Sequence, residues 1–223
     1  MQPVGVLEQD EQHAYRFYYI ERARTVDGFR PFLGFPTLDR TYTSPTLFPL
    51  FAQRVMHPRR PDYQDYLDTL ALSGEPSPME VLARSRGQRV GDTIQLFPEP
   101  SIAADGSTSC LFLVHGVRHI PGADERIARL QPGDELRLVD DPTNEANPRA
   151  VLVAADGTGR LGWVPDLLLG YVHTVQEHGP VDVRVVRANG PDAPPHMRLL
   201  ARLSGTAPPD YRPFIGSGWK PLA

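Results

Sequence analysis

Between Phe112 and Pro165 the chain breaks its apolar stretches with turn residues so closely that no long helix fits. An apolar run from Phe112 ends at Gly116-Val-Arg118-His119. Pro132-Gly133-Asp134 then makes a turn, Asp141-Pro142-Thr-Asn144 opens a loop, and Gly159-Arg-Leu-Gly162-Trp163-Val-Pro165 closes the run. Short segments of this kind, bounded by Gly, Pro, Asn and Asp, read as strands. The same reading extended along the second half predicts strands at 110–117, 134–139, 149–154, 160–164, 181–187 and 197–203. Short helices are predicted near 123–130 and from Asp166 to about Glu177, where Pro165-Asp166 is a good entry and Gly179 a good exit. Six short strands at close spacing imply a closed or nearly closed barrel.

The first half is patterned differently. Tyr15-Arg-Phe-Tyr-Tyr-Ile20 reads as a strand, and Thr41 to Phe51, broken by Pro45 and Pro49, as irregular. Asp62 is placed to cap a helix bearing Tyr66, Leu67 and Leu70. Ser77-Pro-Met-Glu80 offers a capping box with proline at the first helical position, and Gly87 ends that helix. Asp92 to Phe97 alternates like a half-buried strand. The small polar stretch 101–109 reads as a linker, which divides the chain into domains 1–100 and 110–205, with a Pro/Gly-rich tail at 206–223. With 223 residues, each half is large enough for a core of its own.

The net charge of −4 argues against a surface coated with basic residues for wrapping duplex DNA. Residues 1–105 carry −3, residues 106–205 carry −2 and the tail +1. A nucleic-acid site must therefore be a local focus of arginines. The single cysteine, Cys110, fits a reducing cytoplasm. No run approaches the roughly 18–20 apolar residues of a membrane span, and the first residues lack a signal pattern.

The run from Phe112 to Pro165 resembles the HIRAN domain, over roughly 107–205. The resemblance implies a small β-barrel that holds the 3′ end of single-stranded DNA. It places Arg118 at the DNA-binding face, where a guanidinium suits phosphate, with His119 in place of a stacking aromatic. Asp141, Pro142 and Asn144 match the family's loop; Ala146 stands where a second aromatic would be, and Asn147 where an acid would be. Arg149 completes the implied nucleic-acid set of Arg118, His119, Asn144, Asn147 and Arg149, with Arg137 and Arg160 as further basic candidates. Trp163, in an apolar strand, reads as core before platform. Residues 15–100 resemble the N-terminal subdomain of HipA-type toxin kinases. The resemblance rests on Gly28-Phe-Arg-Pro-Phe-Leu33, Tyr66 to Leu72, Pro78 to Arg84 and Gly91 to Pro98. It implies a surface for a protein partner, since no nucleotide loop or catalytic-loop motif accompanies it.

Chemistry has little foothold. The histidines are scattered, with only His115 and His119 close and no third ligand, so no metal and no cofactor is expected. Cys110 reads as a packed thiol, no nucleophile elbow exists, and the acidic pairs 124–125, 134–135 and 140–141 read as solvated turn acids. The expectation is an α+β, β-rich chain of two small domains, the second a six-stranded HIRAN-like barrel with two short helices. Its function would be non-catalytic: single-stranded or terminal DNA at the barrel and a protein partner at residues 15–100, in the cytoplasm and away from membranes. The alternative is an antitoxin-like component of a HipA-type system that does not bind DNA.

Overall fold

The computed structural model describes residues 2–89, 91–155 and 159–223. The chain begins with an antiparallel sheet of β1 (Gly5–Gln9), β2 (Tyr15–Tyr19) and β3 (Tyr42–Ser44), in that order. The alternation in β2 buries Tyr15, Phe17 and Tyr19 and exposes Arg16. The Phe17 ring lies 5.0 Å from Tyr19, 4.4 Å from Phe35 and 5.6 Å from Phe51, between centroids, which makes this core almost wholly aromatic. The Tyr19 hydroxyl donates to the Phe35 carbonyl at 2.9 Å and accepts from the Phe32 N–H at 2.6 Å, which holds the 28–35 loop against the sheet.

Three helices follow: α1 (Pro49–Ala52), α2 (Tyr63–Thr69) and α3 (Pro78–Ser85). The capping box of α3 forms, with Glu80 N–H donating to Ser77 Oγ at 3.2 Å and Ser77 N–H to Glu80 Oε2 at 2.7 Å. Asp62 stands at the head of α2 without capping it, because its carboxylate is taken by Arg60 at 2.8 Å. The strand expected over 92–97 does not form. Leu96 N–H bonds back to the Arg86 carbonyl, Asp92 is occupied by the buried Arg54 at 2.7 Å and 3.0 Å, and Pro98 and Pro100 bring no N–H to a ladder. Among the described residues the segment has no strand partner.

The second sheet is seven-stranded, in the order β4-β5-β10-β9-β6-β7-β8. Its strands are β4 (Ser101–Ile102), β5 (Ser107–Leu113), β6 (Glu135–Asp140), β7 (Val151–Ala155), β8 (Gly159–Trp163), β9 (Asp182–Ala188) and β10 (Leu199–Thr206). Two helices interrupt them, α4 (Ala123–Ile127) and α5 (Leu169–His178), the latter entered through a 3-10 turn at Asp166–Leu168. Two expectations are corrected. The stretch 101–109 is a hairpin rather than a linker: Asp105-Gly106 is a turn pair, and Asp105 Oδ1 accepts from both the N–H and the hydroxyl of Ser107 at 2.9 and 2.7 Å. The six-stranded, closed or nearly closed barrel is not confirmed: the sheet is open and has a seventh strand. Among the described residues, its far end, β8, meets the end of β5 through one bridge, His115 to Trp163.

Period-2 alternation sends Cys110, Phe112 and Val114 into the main core, with Ile127, Leu161 and Val175. The intervening Leu113 faces the other way. There it joins Leu67 of α2, Leu70 just past it, Val81 of α3, Met197 and Leu200 in a cluster that both halves of the chain share. The tail also ties back, Leu222 N–H donating to the Tyr19 carbonyl and Glu21 N–H to the Lys220 carbonyl, both at 2.9 Å.

Arg86, just past α3, locks this junction. It adopts a left-handed conformation (φ 60°) and buries its guanidinium, which donates to the Leu113 carbonyl and to His115 Nε2 and lies 4.8 Å from the Phe97 ring centroid. As acceptor, His115 is neutral with its proton on Nδ1. Burial, and then the Arg86 charge, push His115 down to about 3. Burial brings Arg86 down to about 9, still a cation at neutral pH. Because the histidine pKa is depressed in the fold, its contribution is complete above the unfolded value near 6.5 and declines as pH falls toward 3. Denaturant unfolding should show stability declining by up to about 1.4 kcal/mol per pH unit below pH 6.5 from this group. His115→Gln should flatten the profile between pH 6.5 and 4.

Candidate nucleic-acid interface

Trp163, at the end of β8, gathers the two elements singled out in the sequence. Its backbone pairs with His115 in both directions, at 2.8 and 2.9 Å. Its ring packs on Gly116, where a Cβ would stand 2.6 Å from Cε3; Gly116 is also left-handed (φ 70°), so only glycine fits there. Gly162 admits the same approach from the other side, since a Cβ there would lie 2.4 Å from the His115 carbonyl oxygen. The indole N–H donates to Asp141 Oδ2 at 2.9 Å. One half-buried side chain therefore touches both the Gly116 turn and the first residue of the 141–149 loop.

On the 3-10 turn Val117–His119, Val117 is buried while Arg118 and His119 are exposed. Arg118 Nε donates to His119 Nε2 at 3.1 Å, which aligns the two side chains and leaves the other guanidinium nitrogens free of protein bonds among the described residues. Arg126 of α4 braces the turn from behind, donating to the carbonyls of Arg160 at 3.0 Å and Pro121 at 2.8 Å. Arg160, exposed on β8, is near enough to Asp141 to favour its ionised form.

The 141–149 loop is held by its own side chains. Hydrogen bonds from Trp163 and then Thr143 keep the Asp141 carboxyl below the usual range, with the Asn144 amide adding to them. Asn144 Oδ1 accepts from Ala146 N–H at 3.0 Å and Asn147 N–H at 3.1 Å. Asn147 uses both ends of its amide, accepting from Arg149 N–H at 3.0 Å and donating to Asp166 at 3.1 Å. These are the local bonds by which Asn and Asp build loops. Arg149 is exposed at the loop's far end, where its carbonyl meets His173 of α5 at 3.1 Å. The structure thus brings Arg118, His119, Arg160 and Asp141–Asn144 to one end of the sheet, and places Arg149 on the α5 side.

The Trp163–Asp141 bond had no signature in the sequence, because its partners lie 22 positions apart. Elsewhere, burial pushes the Cys110 thiol up to about 12, which removes its nucleophilic form at neutral pH. Among the described residues, no group of three His, Cys, Asp or Glu side chains could hold a metal ion, and no helix is long and apolar enough to cross a membrane.

No family model and no curated protein matches this chain. Two solved structures are similar to part of it. A protein from Lactobacillus plantarum is 15% identical with a TM-score of 0.37, over 46% of this chain and 99% of its own. The HIRAN domain of human HLTF is 15% identical with a TM-score of 0.34, over 47% of this chain and 83% of its own. Neither is described as a HipA-type protein.

Removing the Asp141 carboxylate leaves the indole N–H without its acceptor. Asp141→Ala should cost about 1–3 kcal/mol in urea unfolding and change the Trp163 emission. Asp141→Asn, which keeps an acceptor, should cost less.

Proposed function

We propose that this chain is a non-catalytic DNA-binding protein that engages single-stranded or terminal DNA at the Trp163 end of its larger sheet, while residues 15–100 dock a protein partner. The observation that carries the DNA reading is the Gly116–Trp163–Asp141 contact, which presents Arg118 and His119 beside the 141–149 loop and Arg160. Arg118 is the phosphate contact and Arg160 a second one, with His119 offering an imidazole face to a base. Asn144 and Asn147 contribute by shaping the loop, since their amides are already engaged there. Arg149 belongs to the outer margin of the site.

Two features set the mode of binding. Ala146 is exposed and offers no stacking surface, which forgoes about 1–3 kcal/mol per base. Asn147 is spent within the fold. The site therefore grips backbone phosphates and discriminates little between a free and a blocked 3′ end. The exposed acids Asp140 and Glu145 lie near it, so affinity belongs to the non-specific range, roughly 10⁻⁴ to 10⁻⁶ M, and falls with salt.

Fluorescence anisotropy with single-stranded oligonucleotides, free or blocked at the 3′ end, tests this at two salt concentrations. Wild type should bind both ends alike at low salt, and Arg118→Ala should weaken binding about tenfold and make the salt slope shallower by about one. No binding at low salt, or binding indifferent to Arg118→Ala, would contradict the assignment.

A further inference from the structure

A groove of about 970 Å³ runs beside the smaller sheet, lined by β1 and the segment 93–99, over a floor that includes Phe17, Phe51 and Leu82. One wall is a free sheet edge. Ile20 N–H bonds to the Val4 carbonyl and Asp10 N–H to the Ala14 carbonyl, so the antiparallel ladder turns Val6 and Glu8 toward β2. The N–H and C=O groups of Gly5, Leu7 and Gln9 therefore face away from the sheet, and no backbone group pairs with them among the described residues. The other wall, residues 93–99, belongs to no strand ladder among the described residues. Apart from the Leu96 and Ile94 N–H groups, bonded to Arg86 and Asp92, its amides at Gln95, Phe97 and Glu99 have no partner among the described residues.

The chemistry of the lining points to one kind of occupant. Gln95 Oε1 is buried without a hydrogen-bond donor, which costs free energy until a donor arrives. Among the described residues, the charged side chains lining the groove are Glu8, Glu80 and Glu99, with no arginine or lysine. Glu8 pairs with Arg16 and Glu80 serves the α3 cap; Glu99 makes no direct ion pair among the described residues, and Arg212 of the tail is near enough to favour its ionised form.

We infer that this groove receives an extended peptide segment of a partner protein, apolar on alternate residues and carrying a Lys or Arg, which adds a strand to β1, donates to Gln95 and sets its positive charge against Glu99. Main-chain pairing supplies the grip, and the floor selects every second side chain. The inference rests on the partner-docking reading of residues 15–100 and is independent of the DNA site.

Selection of random decapeptides displayed on phage against the full chain tests it. The enriched sequences should alternate apolar residues and carry Lys or Arg. A fluorescein-labelled selected peptide should bind Gln95→Leu and Glu99→Arg about tenfold more weakly than wild type. N-methylating its alternate residues should abolish binding in one register and spare it in the other. DNA anisotropy should be unchanged in both variants. Failure to enrich any sequence, peptides indifferent to both substitutions, or N-methylation harmless in both registers would each overturn the groove assignment. A chain that binds peptide but not DNA would sink the DNA reading and leave the groove standing; the converse would do the opposite.

Discussion

The contact of Trp163 with Gly116 and Asp141 is the constraint on which the rest of the larger sheet depends. An open seven-stranded sheet has two free ends. Here the last strand is turned back on the second by one backbone pair, one ring packed on a glycine and one indole hydrogen bond. Each is individually modest. Together they fix the turn carrying Arg118 and His119 relative to the 141–149 loop, elements that lie more than twenty residues apart in the chain. Gly116 and Gly162 are needed because a Cβ at either would occupy space already filled by the indole or by the His115 carbonyl.

The same strand end joins the site to the other half of the molecule. His115 pairs with Trp163 through its backbone and accepts from Arg86 through its ring, and Arg86 closes α3. Such a buried guanidinium without a carboxylate is costly unless every donor is met. The Leu113 carbonyl and His115 Nε2 take two of its donors, and the face of Phe97 lies against the cation. The shared cluster of Leu67, Leu70, Val81, Leu113 and Leu200 adds apolar burial to the same seam. Loop geometry at the candidate site and packing of the first half are thereby parts of one arrangement.

Much of this was legible in the sequence, and the failures have physical reasons. The strands of the second half were readable because Pro132-Gly133-Asp134, Asp141-Pro142 and Pro165-Asp166 mark their ends by local chemistry, and the α3 capping box is equally local. Asp105-Gly106 is also a local signal, but its small polar neighbours disguised a hairpin as a linker. The alternation of 92–97 was real, yet a strand exists only with a partner, and that segment's bonds go to Arg86 and Asp92. Closure of the sheet, the burial of Arg86 and the Trp163–Asp141 bond depend on residues distant in the chain, which periodicity does not encode. The resemblance implied Asn144 and Asn147 as members of the nucleic-acid set. Their amides are engaged in the loop.

The proposed site holds DNA where Trp163 joins the Gly116 turn to the Asp141 loop. The chain has two tryptophans, and the second, Trp219, is stacked on Phe214 in the tail at 4.8 Å between centroids. Their indole N–H signals in a ¹⁵N-correlated NMR spectrum make a site and an internal control. Titration with a single-stranded oligonucleotide at low salt should move the Trp163 indole signal and the amides of 116–119, and leave Trp219 in place. A Trp163 signal that stays fixed while DNA binds, or shifts centred on Trp219, would contradict the account.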